Sequence, residues 1–536
     1  MSVRSNNTLR LTAGGVLLVG SGGGAALLAG VAGAQTVDPA ALEPQVAQTY
    51  TVANTNDSGA GSLRAAVTSA NANAGADTIT FDPSVTGTIT LTSGEIAITD
   101  SITITGPGAG NLAISGNDAS RVFKVTGTAD VVVSSITLTH GSTLSIGNGF
   151  SANGGVLAAA QAGSLVVSDV EISNGRSGNY GGGIFAGNDG DVTITNSQIL
   201  NNRADNGGGI SVFSFSPGTV TISGSMISGN QAGDGLVGTR TAGGGLEGYG
   251  YKTFDIRDTT FDRNSVVGTA PGASSNGYPG GGGGADFITE APVSITNVTF
   301  SNNSVTNGAA SALQMISTST VLIANSTFAG NTESTLSAGS AEGAIGLCNF
   351  FGAGEFKILS STVSDNSSNG VVSGVSTVAK TGFPPPTVHL YDTVIAANRG
   401  GSDLGFSDYW IDGTSPANNA FTLKAAHSLI GSIRATTPLT DNGGNQTGVA
   451  DPMLAPLANN GGRTKTMALL PGSPLLDAGG ATVPTFPRNQ FDQRGSGFAR
   501  LVGSGLDIGA FEAQPPAPTP TPTIDPAAPV VPIFTG

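Results

Sequence analysis

A β-solenoid, a chain wound into stacked coils of short strands, is the fold this sequence predicts, and three observations predict it. Glycine supplies 82 of 536 residues while 6% are aromatic and 11% charged, too glycine-rich for a helical protein and too regular in its apolar pattern for a disordered one. A unit typified by Val192-Thr-Ile-Thr-Asn-Ser-Gln-Ile199-Leu-Asn-Asn202-Arg-Ala-Asp-Asn-Gly207-Gly208-Gly-Ile210 recurs at roughly 27 to 39 residues, the spacing of stacked repeats. Within each unit, large apolar residues fall two apart over strand-length pieces, where a helix would need i, i+3, i+4 spacing over ten or more positions.

Each piece of the unit has its own reason. The opening strand recurs as Val220-Thr-Ile-Ser, Phe254-Asp-Ile-Arg, Val293-Ser-Ile-Thr, Val321-Leu-Ile-Ala, Phe356-Lys-Ile-Leu and Val388-His-Leu-Tyr, alternating as half-buried strands do. A second apolar pair then leads into Asn202, Asn230, Asn264, Asn303, Asn331 or Asn366. Several copies close on glycines such as Gly207-Gly208 and Gly243-Gly244 before an aliphatic residue. Inward Val, Ile and Phe are expected to stack from coil to coil. Asn and Gly are expected at the positive-φ corners, with aligned Asn forming amide ladders. Insertions such as 268–284 are expected to leave one corner.

The alternation of Phe-x-x-Asn with Gly-Gly-x-aliphatic resembles the repeats of the polymorphic outer membrane protein and right-handed parallel β-helix families, over much of 165–398. That resemblance implies an all-β, right-handed parallel β-helix over 102–400 and an exported surface protein, many members being adhesins.

Before the coils, Arg4 and Arg10 precede an apolar stretch from Leu11 to Val31 and then Ala32-Gly33-Ala34, as in a Sec-type signal peptide over 1–34 cleaved after Ala34. Gly20 to Gly24 interrupt the apolar run and argue against a membrane anchor, so the mature chain is expected to have no transmembrane span. After a linker over 35–47, residues 48–101 read as an N-terminal cap and first coils. Ser62 serves as helix N-cap there, and Leu63, Ala66, Val67 and Ala70 share one helix face, suited to cover an open sheet edge. Gly61-Ser-Leu-Arg-Ala-Ala66 resembles a CSLREA-type N-terminal segment without its Cys and Glu.

Near Asn398 the register is expected to dissolve into a module over 401–513. Its Asp451-Pro-Met-Leu454, Leu457 to Met467, Leu469 to Asp477, Asp492-Gln-Arg-Gly495 and Asp507 to Glu512 resemble the choice-of-anchor Q module that follows β-helices in bacterial surface proteins. Its expected role is to cap the last coil. A Pro/Thr-rich tail over 514–536 reads as an extended spacer. The tail carries no apolar span or LPxTG-like motif, which leaves either an anchor outside this chain or a protein released or held by partners.

A net charge of −15 argues against nucleic acid and anionic lipid as partners. The expected partner is a cell-surface or extracellular glycan or protein, or copies of the chain itself. Cys348, the single cysteine, reads as a small buried residue beside Ile345, Leu347 and Phe350. His140, His389 and His427 lack a second ligand at metal spacing. No cofactor is called for. Calcium alone is admitted, at Asp286 in Gly281-Gly-Gly-Gly-Ala-Asp286-Phe-Ile288 and at Asp189, Asp191 and Asp441, all of which read first as turn formers.

Three functions follow in order. The first is a non-enzymatic adhesin, stalk or envelope component, secreted or at the bacterial surface. The second is a polysaccharide lyase or hydrolase beside the insertions at 233–242 and 268–284, drawing on Glu247, Asp255, Arg257, Asp258, Asp262, Arg263 and Asp286. The third is a self-assembling sheath or layer. Thr139-His140-Gly141 matches one element of a polygalacturonase site, but the accompanying elements are absent.

Overall fold

The computed structural model describes residues 46–146, 150–160, 163–187, 189–233, 241–268, 281–334, 342–349, 354–379, 386–406, 421–435 and 437–514. The expected leader with its cleavage at Ala34, most of the linker, the Pro/Thr tail and the centres of both named insertions lie outside the described residues.

Among the described residues, forty-four strands form four sheets of 14, 13, 11 and 6 strands, here called A, B, C and D. Successive strands within each sheet pair in parallel, as Val192 does with Val220 in A, Ile199 with Ile227 in B, and Ile210 with Leu246 in C. The chain is therefore an all-β parallel β-helix. One coil runs through Val192–Thr195 in A, Gln198–Leu200 in B, Arg203–Ala204 in D and Ile210–Ser214 in C. At about 4.8 Å per step, the 14 strands of sheet A extend on the order of 60 Å.

The predicted apolar columns line the interior, with Val192, Ile194, Ile199, Ile210 and Val212 all wholly buried. Phe261, Phe300 and Phe328 stack with centroids 4.7 and 4.8 Å apart and rings within 6° of parallel, the rise of one coil.

The Asn positions divide into two roles that the sequence reading merged. Asn202, Asn230, Asn264, Asn303, Asn331 and Asn366 are fully buried and do not take the positive φ. Each donates from Nδ2 to Oδ1 of the next at 2.8–3.0 Å, and the ladder runs on through Asn398 to Asp403. The same Nδ2 donates to a carbonyl of the preceding coil, as Asn264 does to Ile227. Positive φ falls instead on the residue before: Asn201 (56°), Gly229 (67°), Arg263 (54°), Asn302 (54°), Gly330 (70°) and Asp365 (58°). At the corner between D and C the glycines differ in their reasons. Gly207 has φ 59°, whereas a Cβ on Gly208 would lie 2.4 Å from the Gln231 carbonyl carbon of the next coil.

The N-terminal end is covered as predicted, by a helix over Leu63–Ala72 whose Ser62 Oγ accepts from the Ala65 N–H at 3.2 Å. Leu63, Ala66, Val67 and Ala70 are buried. Asn71 satisfies the first strand of sheet C, Ile96–Ile98, donating to the Ala97 carbonyl and accepting from the Thr99 N–H at 2.8 and 2.9 Å. An edge that would otherwise template another strand is thereby closed.

The C-terminal part departs from expectation twice. Coiling does not stop near 400, because Ser402–Phe406, Thr422–Ala426, Leu429–Ile430, Leu439–Asp441 and Gln446–Thr447 extend sheets C, A, B, A and B. The segment after 448 then turns back along the flank where A meets B, so its covering is lateral. Gly480 N–H donates to Asp392 Oδ1 at 2.7 Å, Ala510 N–H to Thr362 Oγ1 at 3.0 Å, and Asn325 to the Phe491 carbonyl at 2.8 Å. Gln493 donates to Thr299 Oγ1 at 2.9 Å, and Arg488 and Arg463 reach Asp258 and Asn196. Leu475 and Ile508 pack on Val394, Ala396 and Leu429. The segment has its own buried ionic centre, where Arg494 pairs with Asp492 at 2.6 Å between the Phe498 and Phe511 rings.

Candidate functional site

Outward positions of the coils, rather than the core, decide what the molecule can touch. Three groups of outward side chains stand out among the described residues.

The first lies on the outer face of sheet C, which is buried. Ser211, Glu247, Asp286 and Gln314 stand in register in successive coils, each at most 2% exposed. Ile288, Ile316, Cys348 and Val378 form an apolar cluster on the same face. Glu342 accepts the Cys348 thiol at 3.5 Å, and Glu333 accepts from Ser368 Oγ at 2.9 Å. Burial pushes the Glu342 carboxyl up to about 7 against the hydrogen bonds of Gln314 and Cys348, and raises Glu333 and the Cys348 thiol well above their ordinary ranges. A buried protonated thiol is inert, which matches the reading of Cys348 as a packing residue.

The second group is an aromatic strip on the same face of sheet C, beside the first, where Tyr249 packs on the Ile288 cluster. Phe213 and Tyr249 stack at 4.9 Å and 7°, Tyr180 lies 5.6 Å from Phe213, and Phe215 meets Tyr249 and Tyr251 edge-on at 5.8 and 5.7 Å. Phe215 is 57% exposed and Tyr251 43%. Sheet register creates the strip, since Phe213 and Tyr249 are paired positions of adjacent strands. A shallow hollow bounded by Phe215, Tyr249, Tyr251, Thr289 and Glu290 adjoins it.

The third is a groove of about 510 Å³ between the outer face of sheet A and residues 480–485 of the flanking segment. Lys357, Tyr391, Asp392, His427, Thr482 and Thr485 line it. Lys357, which lines the groove, is in register with His389 and Lys424 of the next two strands of sheet A. Glu355 pairs with Lys357 at 2.9 Å and His389 at 3.2 Å, and His389 Nδ1 lies 3.4 Å from the Tyr391 hydroxyl. Burial lowers the His389 pKa, Glu355 opposing and Lys424 and Lys357 assisting.

The carboxylates proposed for a lyase or hydrolase do not assemble. Glu247 and Asp286 are buried on sheet C, Asp255 and Arg257 pair on the outer face of sheet A, Asp258 meets Arg488 at the corner between A and B, and Asp262 with Arg263 occupies the corner between B and D. Three faces separate them, because each coil turns between strands that lie adjacent in sequence. The calcium candidates serve locally. Asp189 accepts from Ser216 and Asp191 from the Thr219 N–H, while the Lys252 ammonium donates to the Gly190 carbonyl at 2.7 Å between them. Asp441 accepts from the Gly443 N–H at 2.8 Å as a turn former. No group of three or more His, Cys, Asp or Glu placed to hold a metal occurs among the described residues. His140 sits at a corner with φ 49°.

Sequence reasoning missed the strip and the groove because it followed inward positions. Outward residues one coil apart, such as Phe213 with Tyr249, Phe215 with Tyr251 and Lys357 with His389, carry the signal once the repeats are aligned by their inward residues. No helix among the described residues is long and apolar enough to cross a membrane. Compared with models of known protein families the chain matches none, and no curated protein matches it.

Proposed function

We propose that this chain is an exported surface protein that works by adhesion, a β-helix holding an extracellular glycan on its aromatic strip. The observation that carries the reading is the exposure of Phe215 and Tyr251 against the stacked Phe213–Tyr249 pair, in a chain only 6% aromatic. Clustered exposed rings cost solvation free energy and mark contact surfaces. The exposed rings of Phe215 and Tyr251, braced on that pair, offer apolar surface of the size of a sugar ring, and tyrosine hydroxyls with Glu290 and Thr289 supply hydrogen bonds to sugar hydroxyls. The signal-peptide pattern and the resemblances to polymorphic outer membrane protein repeats, a CSLREA-like segment and a choice-of-anchor Q module support display at a bacterial surface.

A glycan array probed with the folded chain and with a Phe215→Ala/Tyr251→Ala variant tests the proposal. Retention of a defined glycan class by the chain and its loss in the variant is the expected result. Equal retention by both, or none by either, sinks it. The start of the exported form is expected near Gln35, as N-terminal sequencing will show.

A further inference from the structure

The outer face of sheet A changes character along the rod. Over its first seven strands the two outward positions of each strand hold only Thr, Ser or Val. Thr-x-Thr stands complete at 49–51, 78–80, 103–105 and 193–195. In the other three strands Val132 and Val166 replace the first threonine, and Ser134, Ser168 and Ser223 the second. The strands pair in step from Thr49 to Thr221, so these positions form two unbroken rows. All of their side chains are exposed or half-buried, and neither row holds a charge or an aromatic ring. Asp255 and Arg257 of the next strand end the array.

Parallel stacking spaces neighbours in a row about 4.8 Å apart and sets the two rows roughly 6.6 Å apart, so the face repeats in two directions over about 29 Å of rod. Threonine and valine are stiff at χ1, which fixes where each methyl and hydroxyl lies. Hydroxyls also link the coils: Thr51 Oγ1 lies 3.4 Å from Thr80 Oγ1, and Ser134 Oγ donates to Thr105 Oγ1 at 3.3 Å. A sheet face of this kind is no cleft for a small molecule, offers no ring for a sugar to stack on, and carries no charge for a mineral or a polyanion. Its chemistry suits a neutral solid whose own surface repeats. The oxygens of an ice surface recur at spacings close to both of these, and each can donate to or accept from a hydroxyl.

We infer that the outer face of sheet A over residues 49–223 binds ice, with water oxygens of the crystal surface in register with the threonine and serine hydroxyls and the methyl groups seated between them. Each contact is weak, but an array already rigid gives up little side-chain freedom on binding, so the contacts add. None of the residues of the aromatic strip takes part, and the two surfaces stand or fall separately.

The test is partition of the full chain into slowly growing ice, with recrystallisation of polycrystalline ice as a second readout. Thr105→Tyr/Thr195→Tyr places bulky rings within the array. Gln198→Tyr, at an exposed outward position of sheet B in the same coil as Thr195, is the control. Each variant is checked for an unchanged thermal transition, and Thr105→Lys alone takes the place of the double variant if that one unfolds. The chain and the control are expected to be enriched in the ice and to arrest recrystallisation, and the array variant to lose both effects. Exclusion of the chain from ice, or an array variant that keeps both effects, overturns the inference. Microcrystalline cellulose and chitin are offered to the same proteins. Retention on either that the array variant loses, together with exclusion from ice, would give the face to a crystalline polysaccharide and overturn the inference as well.

Discussion

Asn264 is one link in the amide ladder, and four buried groups depend on it. Its Oδ1 accepts the backbone N–H and the side-chain amide of Asn230, and its Nδ2 donates to Asn303 Oδ1 and the Ile227 carbonyl. At about 1–3 kcal/mol for each buried group left unsatisfied, Asn264→Ala is expected to cost at least about 3 kcal/mol, read as a lowered urea midpoint. Asn201→Gly, one residue before a ladder position and at φ 56°, is expected to change stability by less than about 0.5 kcal/mol. The sequence held the distinction between these neighbours. The position before the ladder is Asn, Gly, Arg or Asp in different coils, whereas the ladder position stays Asn, as only an amide can donate and accept in every coil.

Glu342 gives a pH dependence of definite sign. Its carboxyl titrates near 7 in the fold against an ordinary value of 4.5, so the native state holds the extra proton between those values. Its contribution is therefore fully present below 4.5 and is lost as pH rises through 7. Glu333 shifts the same way, and burial carries Glu512 up to about 8. The thermal midpoint of the chain is expected to fall between about pH 5 and pH 8, and Glu342→Gln to flatten that fall and raise the midpoint at the alkaline end.

Among the elements, the cap helix was legible because all of its determinants are local: an N-cap serine, an apolar face at i, i+3, i+4 and i+7, and a position ahead of the first strands. The flanking segment was legible as a compact set of motifs but not as a flank. Its contacts join residues 166 and 195 positions apart, and no periodicity marks such a pairing. The coils after 400 were missed for a third reason. Their inward positions, such as Leu423 and Ala425, lack the Phe-x-x-Asn and glycine signals by which the others were found.

Phe486 holds the middle of the flanking segment to sheet A by apolar burial, at 6% exposure. A buried Phe→Ala change costs about 3–5 kcal/mol, and here the loss falls on a local attachment. Phe486→Ala is expected to speed amide hydrogen exchange of residues 480–490 while the ladder coils keep their protection, as exchange mass spectrometry will show. Equal acceleration across the coils would mean that the segment and the coils open as one.

At the scale of the whole molecule, one charge on the outer face of sheet A responds to acidity. His389 titrates below its usual value of 6.5, with Glu355, Lys357 and Lys424 the charged groups that face it. It is neutral near pH 7 and gains a positive charge on acidification. On this group's account the fold loses stability as pH falls below 6.5, so His389→Gln is expected to raise the thermal midpoint more at pH about 5.5 than at about 7.5, by scanning calorimetry.

A stack of coils that touch only their neighbours ordinarily frays from its ends, one turn after another. The returning segment changes that rule, because it fastens coils near 196, 258, 299, 325, 362 and 392 to a single strip of chain. Those turns cannot peel away in sequence; they must let go together or wait until the whole strip has lifted. Where shear or protease attacks, the rod should therefore yield in one abrupt event rather than by gradual unwinding.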